Sequence, residues 1–134
     1  MAVATLLAGC AAQPTPAAGP TSSPSIPPTA AGTRDCGTLT LRQGQELPPD
    51  ALQCVIEATE TRQPAQLVVT LPTIEGDPIT TSYSVTADGQ VEVTTDARAD
   101  RLGSGNVERQ TCTGPTIQDG LRLSFATCSS PEVG

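Results

Sequence analysis

The chain has 134 residues with 7 basic and 14 acidic side chains, a net charge of −7, and no histidine. The basic residues are all arginine and every charge lies at or beyond Arg34, so an acidic C-terminal part follows an uncharged start. That field excludes nucleic acid as a partner, because phosphate neutralisation needs a basic face. Lack of His removes Ser-His-Asp and Cys-His catalysis, and with it the commonest ligand for zinc, copper or haem iron. Tyr83 and Phe125 are the only aromatic residues, so the core must be aliphatic, and a core of that kind in about 100 residues needs staples.

Residues 1–9, "MAVATLLAG", are uncharged and apolar, which suits part of a signal peptide but is too short to span a bilayer. Residues 10–33 begin with Cys10 and continue as "AAQPTPAAGPTSSPSIPPTAAGT". Six prolines, no charge and one large aliphatic side chain predict a semi-extended tether, reaching at most roughly 70 Å. Residues 34–130 then form a single domain, with 131–134 as a tail.

Within the domain, "CGTLTLR" predicts a short strand with Leu39 and Leu41 on one face. "LPPDALQCVIEATETRQPA" predicts one helix from Pro49 to Thr61. Proline suits its first turn, Asp50 complements its dipole, Leu47 can fold back as a staple and Pro64 ends it. Leu52, Val55, Ile56 and Thr59 recur at helical spacing. The period then drops to two. Leu67, Val69 and Leu71 alternate, as do Ile79, Thr81, Tyr83 and Val85, and Val91, Val93 and Thr95; Asp88-Gly89 marks a hairpin between the last two runs. "NVERQTCT" and "LRLSFATC" predict two more strands, the latter with Leu121, Leu123 and Phe125 inward. The expected fold is α+β, a twisted antiparallel sheet of about five strands with one helix on its apolar face.

Five cysteines occur, and setting Cys10 aside leaves four, which in an exported protein reads as two disulfides. Three pairings are open to four cysteines. If Leu121, Leu123 and Phe125 point inward, Cys128 points to the opposite face. Cys112 can then be its cross-strand neighbour, which leaves Cys36 with Cys54.

Residues 73–78, "TIEGDP", and 95–106, "TDARADRLGSGN", hold the densest polar chemistry. Glu75, Asp77, Asp96 and Asp100 are candidate binding-loop residues with Arg101, and their oxygens could offer a Ca²⁺ site. The spacing is not that of an EF-hand, and Arg98, Arg101 and Arg109 are near enough to neutralise the acids. Each also has a structural reading: Asp77 as a turn residue, Asp96 as the cap of a short turn, Gly103 and Gly105 as positive-φ positions. The expectation is therefore no metal and no cofactor.

Two resemblances add to this. "LAGC", Leu7 to Cys10, resembles the lipobox of bacterial lipoproteins, which implies cleavage before Cys10, a diacylglycerol on its thiol, and a lipid-anchored location on the extracytoplasmic face of the cell membrane. "TIEGDPIT", "DGQVEVTTDARADRLGSG" and the closing cysteines resemble a family of small Gram-positive lipoprotein domains of unknown function. Glu75, Gly76, Asp77, Pro78, Asp96, Asp100, Arg101, Gly103 and Gly105 match its motif, whereas Leu102 stands where an aromatic is common. The expectation is a monomeric, non-enzymatic binding or interaction module at the cell envelope, its partners the membrane through Cys10 and an envelope protein. A carboxylate- or Ca-dependent enzyme and a structural spacer are the alternatives.

Overall fold

A computed structural model describes residues 32–119 and 122–134. The lipid site expected at Cys10, the signal remnant, the tether up to residue 31, Gly120, and Leu121, expected inward on the last strand, lie outside the described residues. The elements run β1 (Arg34–Thr40), α1 (Pro49–Thr61), β2 (Ala65–Pro72), β3 (Pro78–Val85), β4 (Val91–Asp96), β5 (Val107–Gln118), β6 (Arg122–Cys128) and β7 (Glu132–Val133). The fold is α+β with two disulfide staples.

One sheet carries the strands in the order β1-β2-β3-β4-β5-β6, with β7 also on β5. All pairings are antiparallel except β1 with β2, which is parallel. That exception follows from the connection: a strand, a helix and a return strand make a crossover, whereas β2, β3, β4 and β5 follow one another along the chain with no element between them. β5 runs on through Gly114 and Pro115, past where these residues suggest a strand should stop. It has partners on both sides, β4 along its first half and β6 along its second.

The tail expected at 131–134 belongs to the sheet. β7 pairs Glu132 with Arg109 and Val133 with Glu108, and the Gly134 N–H donates to the Val107 carbonyl at 2.8 Å. It lies on the same side of β5 as β6, after an interruption at 129–131. The backbone groups of β5 ahead of Cys112, which β6 does not reach, needed a partner there.

α1 begins as its sequence dictates, with Pro49 in the first turn and Asp50 beside it, and ends at Arg62 in the left-handed region. Leu52, Val55 and Ala58 are fully buried against Ala65, Leu67 and Val69 of β2, with Val85 and Val91 beyond. Leu41 and Leu47 close the core at the β1–α1 connection. Ile56 and Thr59 are only half-buried, so the helix buries a narrower stripe than its apolar spacing suggested.

Two disulfides hold the periphery to this small core. Cys36–Cys54 joins β1 to α1 and Cys112–Cys128 joins β5 to β6. The face assumed for the second bridge is corrected: Cys112 stands opposite Val91 in register and is 1% exposed, so that sulfur lies in the core. Leu123 and Phe125 also pack on the core, Phe125 with its ring 6.3 Å from that of Tyr83. Residues three apart cannot both do so under strict alternation. Gly114, at φ +64° between Cys112 and Pro115, supplies the break in β5.

Gly89 in the β3–β4 turn is a second position where glycine is required. Its φ is +78°, and a Cβ there would come 2.9 Å from the Thr59 carbonyl oxygen at the end of α1. Gly89→Ala therefore meets backbone strain and a clash together, a destabilisation of about 1–3 kcal/mol. Urea unfolding should show a lower midpoint with an unchanged slope; an unchanged midpoint would mean that the turn does not touch the helix.

Candidate functional site

The β2–β3 hairpin closes on itself at Thr73. The Thr73 N–H donates to the Asp77 carbonyl at 2.8 Å, the Gly76 N–H to the Thr73 carbonyl at 3.0 Å, and the Asp77 N–H to Thr73 Oγ1 at 3.1 Å. This winding turns the Asp77 side chain inward, where the residue is 7% exposed. Glu75, two residues earlier, is exposed. The turn that winds Asp77 inward leaves Glu75 in solvent.

The β4–β5 loop supplies the partner. Arg101 donates its backbone N–H to Asp77 Oδ2 at 3.1 Å and its Nε–H to Oδ1 at 3.1 Å, and Nη2 lies 3.1 Å from Oδ1. One carboxylate thus clamps two loops 24 residues apart in sequence. The clamp works because a guanidinium and a peptide N–H together satisfy the acceptor positions of a carboxylate.

The other two acids act within their own loop. Asp96 accepts the Arg98 backbone N–H at 3.1 Å and its Nε–H at 3.0 Å on Oδ1, while Arg98 Nη2 is 2.6 Å from Oδ2. Asp100 Oδ1 accepts the N–H groups of Leu102 at 3.1 Å and Gly103 at 2.9 Å. A Cβ at Gly103 would overlap the Asp100 carboxylate, so glycine is needed there for closeness. Gly105 takes the positive φ expected of it, at +65°, and Gly103 does not. Ala97 N–H to Asn106 carbonyl, at 2.9 Å, closes the loop base.

The acids expected as a candidate calcium set, Glu75, Asp77, Asp96 and Asp100, therefore do not converge. Among the described residues no three Asp, Glu or Cys side chains gather as a metal site. The reason is charge: Arg98 and Arg101 reach Asp96 and Asp77 with short, well-directed hydrogen bonds, and Asp100 turns to peptide N–H groups.

These contacts fix the charge state. Hydrogen bonds from the Arg101 side chain, then its backbone N–H, hold the Asp77 carboxyl below its ordinary value despite the opposing effect of burial. The Arg98 side chain does the same to Asp96, held down to about 2. Both acids are depressed in the folded state, so their stabilisation is complete above an unfolded carboxylate value near 3.8 and is lost as pH falls through the folded values. Acid titration followed by the Arg98 and Arg101 Nε–H resonances should show both loops intact at pH 4, with the Asp96–Arg98 pair opening near pH 2. Opening of that pair above pH 4 would contradict the assignment.

Around this frame the structure exposes apolar side chains. Ile74 is 85% and Leu102 75% exposed, the two most exposed large aliphatic residues described, and each sits on one of the clamped loops. Beside the Asp96–Arg98 pair an open groove of ≈ 540 Å³ runs over the sheet face away from α1, lined by Thr80, Ser82, Thr94, Asp96, Arg98 and Arg109 among others. Arg109 makes no ion pair among the described residues.

Sequence reading identified the two loops but not the roles of Thr73 and Ile74 or the hydroxyl row of the groove, and its expectation that Arg109 neutralises the acids is corrected, since that part is taken by Arg98 and Arg101. The signals available were an aliphatic residue inside a polar turn and the outward positions of the alternating strands, Thr80, Ser82 and Thr94. Comparison of the chain with protein-family models, curated proteins and solved structures gave no match.

Proposed function

We propose that this protein is a lipid-anchored binding module of the cell envelope. Cys10 carries the anchor, residues 11–33 form the tether, and the paired loops at 73–77 and 97–106 contact an envelope protein. The observation that carries the binding half is the pairing of rigidity with exposed apolar surface. Ile74 and Leu102 project from two loops that Asp77 and Arg101 lock together. Apolar side chains presented on a preorganised frame lose little freedom on binding, which is what a contact surface requires.

The anchoring half rests on the lipobox resemblance and on cysteine arithmetic. Cys36, Cys54, Cys112 and Cys128 are paired with one another, which suits an oxidising compartment and leaves Cys10 over. The carboxylate-dependent enzyme has no such observation in its favour, since three of its four acids are taken up by arginine or backbone N–H groups.

Cross-linking in the native envelope, followed by purification of the lipidated protein, tests the reading. The expected result is one stoichiometric protein partner, lost in Ile74→Asp and in Leu102→Asp while the melting temperature stays within error of the parent. Recovery of the same partner by both variants would exclude the loops. Recovery of none by the parent would overturn the binding reading in favour of a spacer.

A further inference from the structure

The sheet has one face under α1 and a second, polar face turned the other way. Val85 and Val91 lie in the core, so alternation sends Ser82, Glu92 and Thr94 to the polar face. Across the strands one row runs Ser82, Thr94, Arg109, Glu132, each directly opposite the next in register and therefore on the same face. Glu92, opposite Thr111, belongs to the row beside it. The open groove beside the Asp96–Arg98 pair is continued by a second of ≈ 580 Å³, which Glu92 and Thr111 line; Thr94, Arg109 and Glu132 line both.

The polar groups around this row are already taken. Asp96 and Arg98 hold one another, and the hydroxyls of Thr80 and Thr113 meet those of Thr70 and Thr127 at 3.0 and 2.7 Å. Within the row the side chains have no such partners. Among the described residues Arg109, Glu92 and Glu132 make no ion pair, and the Ser82 and Thr94 hydroxyls make no hydrogen bond. One guanidinium and two carboxylates thus stand over a floor of two half-buried hydroxyls. Arg109 and Glu132 are cross-strand neighbours, but a pair between two exposed groups is held weakly enough for a ligand to displace it.

We infer that this groove binds a small zwitterion of the short-peptide class, with its carboxylate on Arg109 and its ammonium on the flanking Glu92 and Glu132. A guanidinium receives a carboxylate through two parallel N–H donors. A simple anion gains that contact but is repelled by both glutamates, and a simple cation is repelled by Arg109. A molecule that carries both signs satisfies all three groups. The hydroxyls of Ser82 and Thr94 can each donate and accept, which suits the N–H and C=O of an amide between two charged termini. The groove volume falls in the ordinary range for small-molecule sites. It is open, so a ligand of dipeptide size should bind with a Kd on the order of 1 mM. The site lies apart from Ile74 and Leu102 and stands without the proposed envelope contact.

Amide and arginine Nε–H spectra of the full chain with Cys10→Ser, disulfides formed, test this at about pH 6, where both termini of a dipeptide are charged. Alanyl-alanine should move the Arg109 Nε–H and Thr94 N–H resonances along a saturating curve. N-acetyl-alanyl-alanine, which lacks the ammonium, and alanyl-alanine amide, which lacks the carboxylate, should each bind at least about fivefold more weakly. Arg109→Gln should weaken alanyl-alanine about tenfold while the Arg98 and Arg101 Nε–H signals stay in place. Glu92→Gln combined with Glu132→Gln should abolish the preference, the acetylated dipeptide then binding as well as the free one. The comparison of probes on the parent decides the matter should Arg109→Gln fail to fold. Equal binding of the free and acetylated dipeptides by the parent would overturn the proposal, as would inorganic phosphate bound more tightly than alanyl-alanine. So would movement of the exposed Arg42, Arg62 and Arg122 in step with Arg109, or no shift at dipeptide concentrations well above the expected Kd.

Discussion

Replacing Cys112 and Cys128 together with alanine should lower the melting temperature by about 12–24 °C, and replacing Cys36 and Cys54 together should do about the same. The bridges close loops with sequence separations of 16 and 18, and constraining an unfolded loop of that length stabilises the native state by about 3 kcal/mol. Two such contributions compare with the whole stability of a typical small domain, about 5–15 kcal/mol. Removing both bridges should therefore leave the chain largely unfolded at 37 °C. Calorimetry of the two double variants checks this. The Cys112 pair should fall somewhat further, because Cys112 is 1% exposed and its truncation also leaves a void, whereas Cys54 is 8% exposed. Double variants that melt with the parent would mean that the aliphatic core suffices alone.

Leu67→Ala should be the most damaging single core change, at about 2–5 kcal/mol and towards the upper part of that range. Leu67 is completely buried, lies between Gly37 on β1 and Tyr83 on β3, and is covered by α1. The cost of such a truncation depends on whether neighbours can move in. Gly37 has no side chain to offer, and the surrounding Val55, Val69 and Ala58 are short or branched at Cβ, so the cavity stays open. Urea denaturation should give a lower midpoint at constant slope. A cost under about 1 kcal/mol would show that β2 is not the centre of the core.

Both expectations concern features legible in the sequence. The helix announced itself by Pro49, Pro64 and its apolar spacing, and the middle strands by alternation, with Asp88-Gly89 fixing one hairpin. These signals are local. What escaped depended on partners distant in sequence. The parallel β1–β2 pair follows from how the helix crosses back over the sheet, which no periodicity in 36–42 records. β5 continues through Gly114 and Pro115 because β6 holds it from one side, although both residues read as breakers. Glu132 and Val133 are too short a run to be recognised and become a strand only because β5 offers an edge.

The loops show the same division. "TIEGDP" and "TDARADRLGSGN" were legible as polar turns, and Asp96 and Asp100 do cap local turns as their types suggest. Which acid meets which arginine was not legible, because the Asp77–Arg101 contact needs the register of β3 on β4, pairing Thr80 with Asp96, to bring the loops together. Glu75 and Asp77 look equivalent in sequence and are separated only by which side of the turn each occupies. Their divergence turns a candidate ligand set into a clamp.

The central claim is that this stapled domain is held at the envelope through lipid on Cys10. Mass spectrometry of the N-terminal peptide from the membrane fraction tests it most directly. The prediction is a peptide that begins at Cys10 and carries a diacylglyceryl group on sulfur. A membrane-fraction or secreted chain in which Cys10 is internal and unmodified would contradict it.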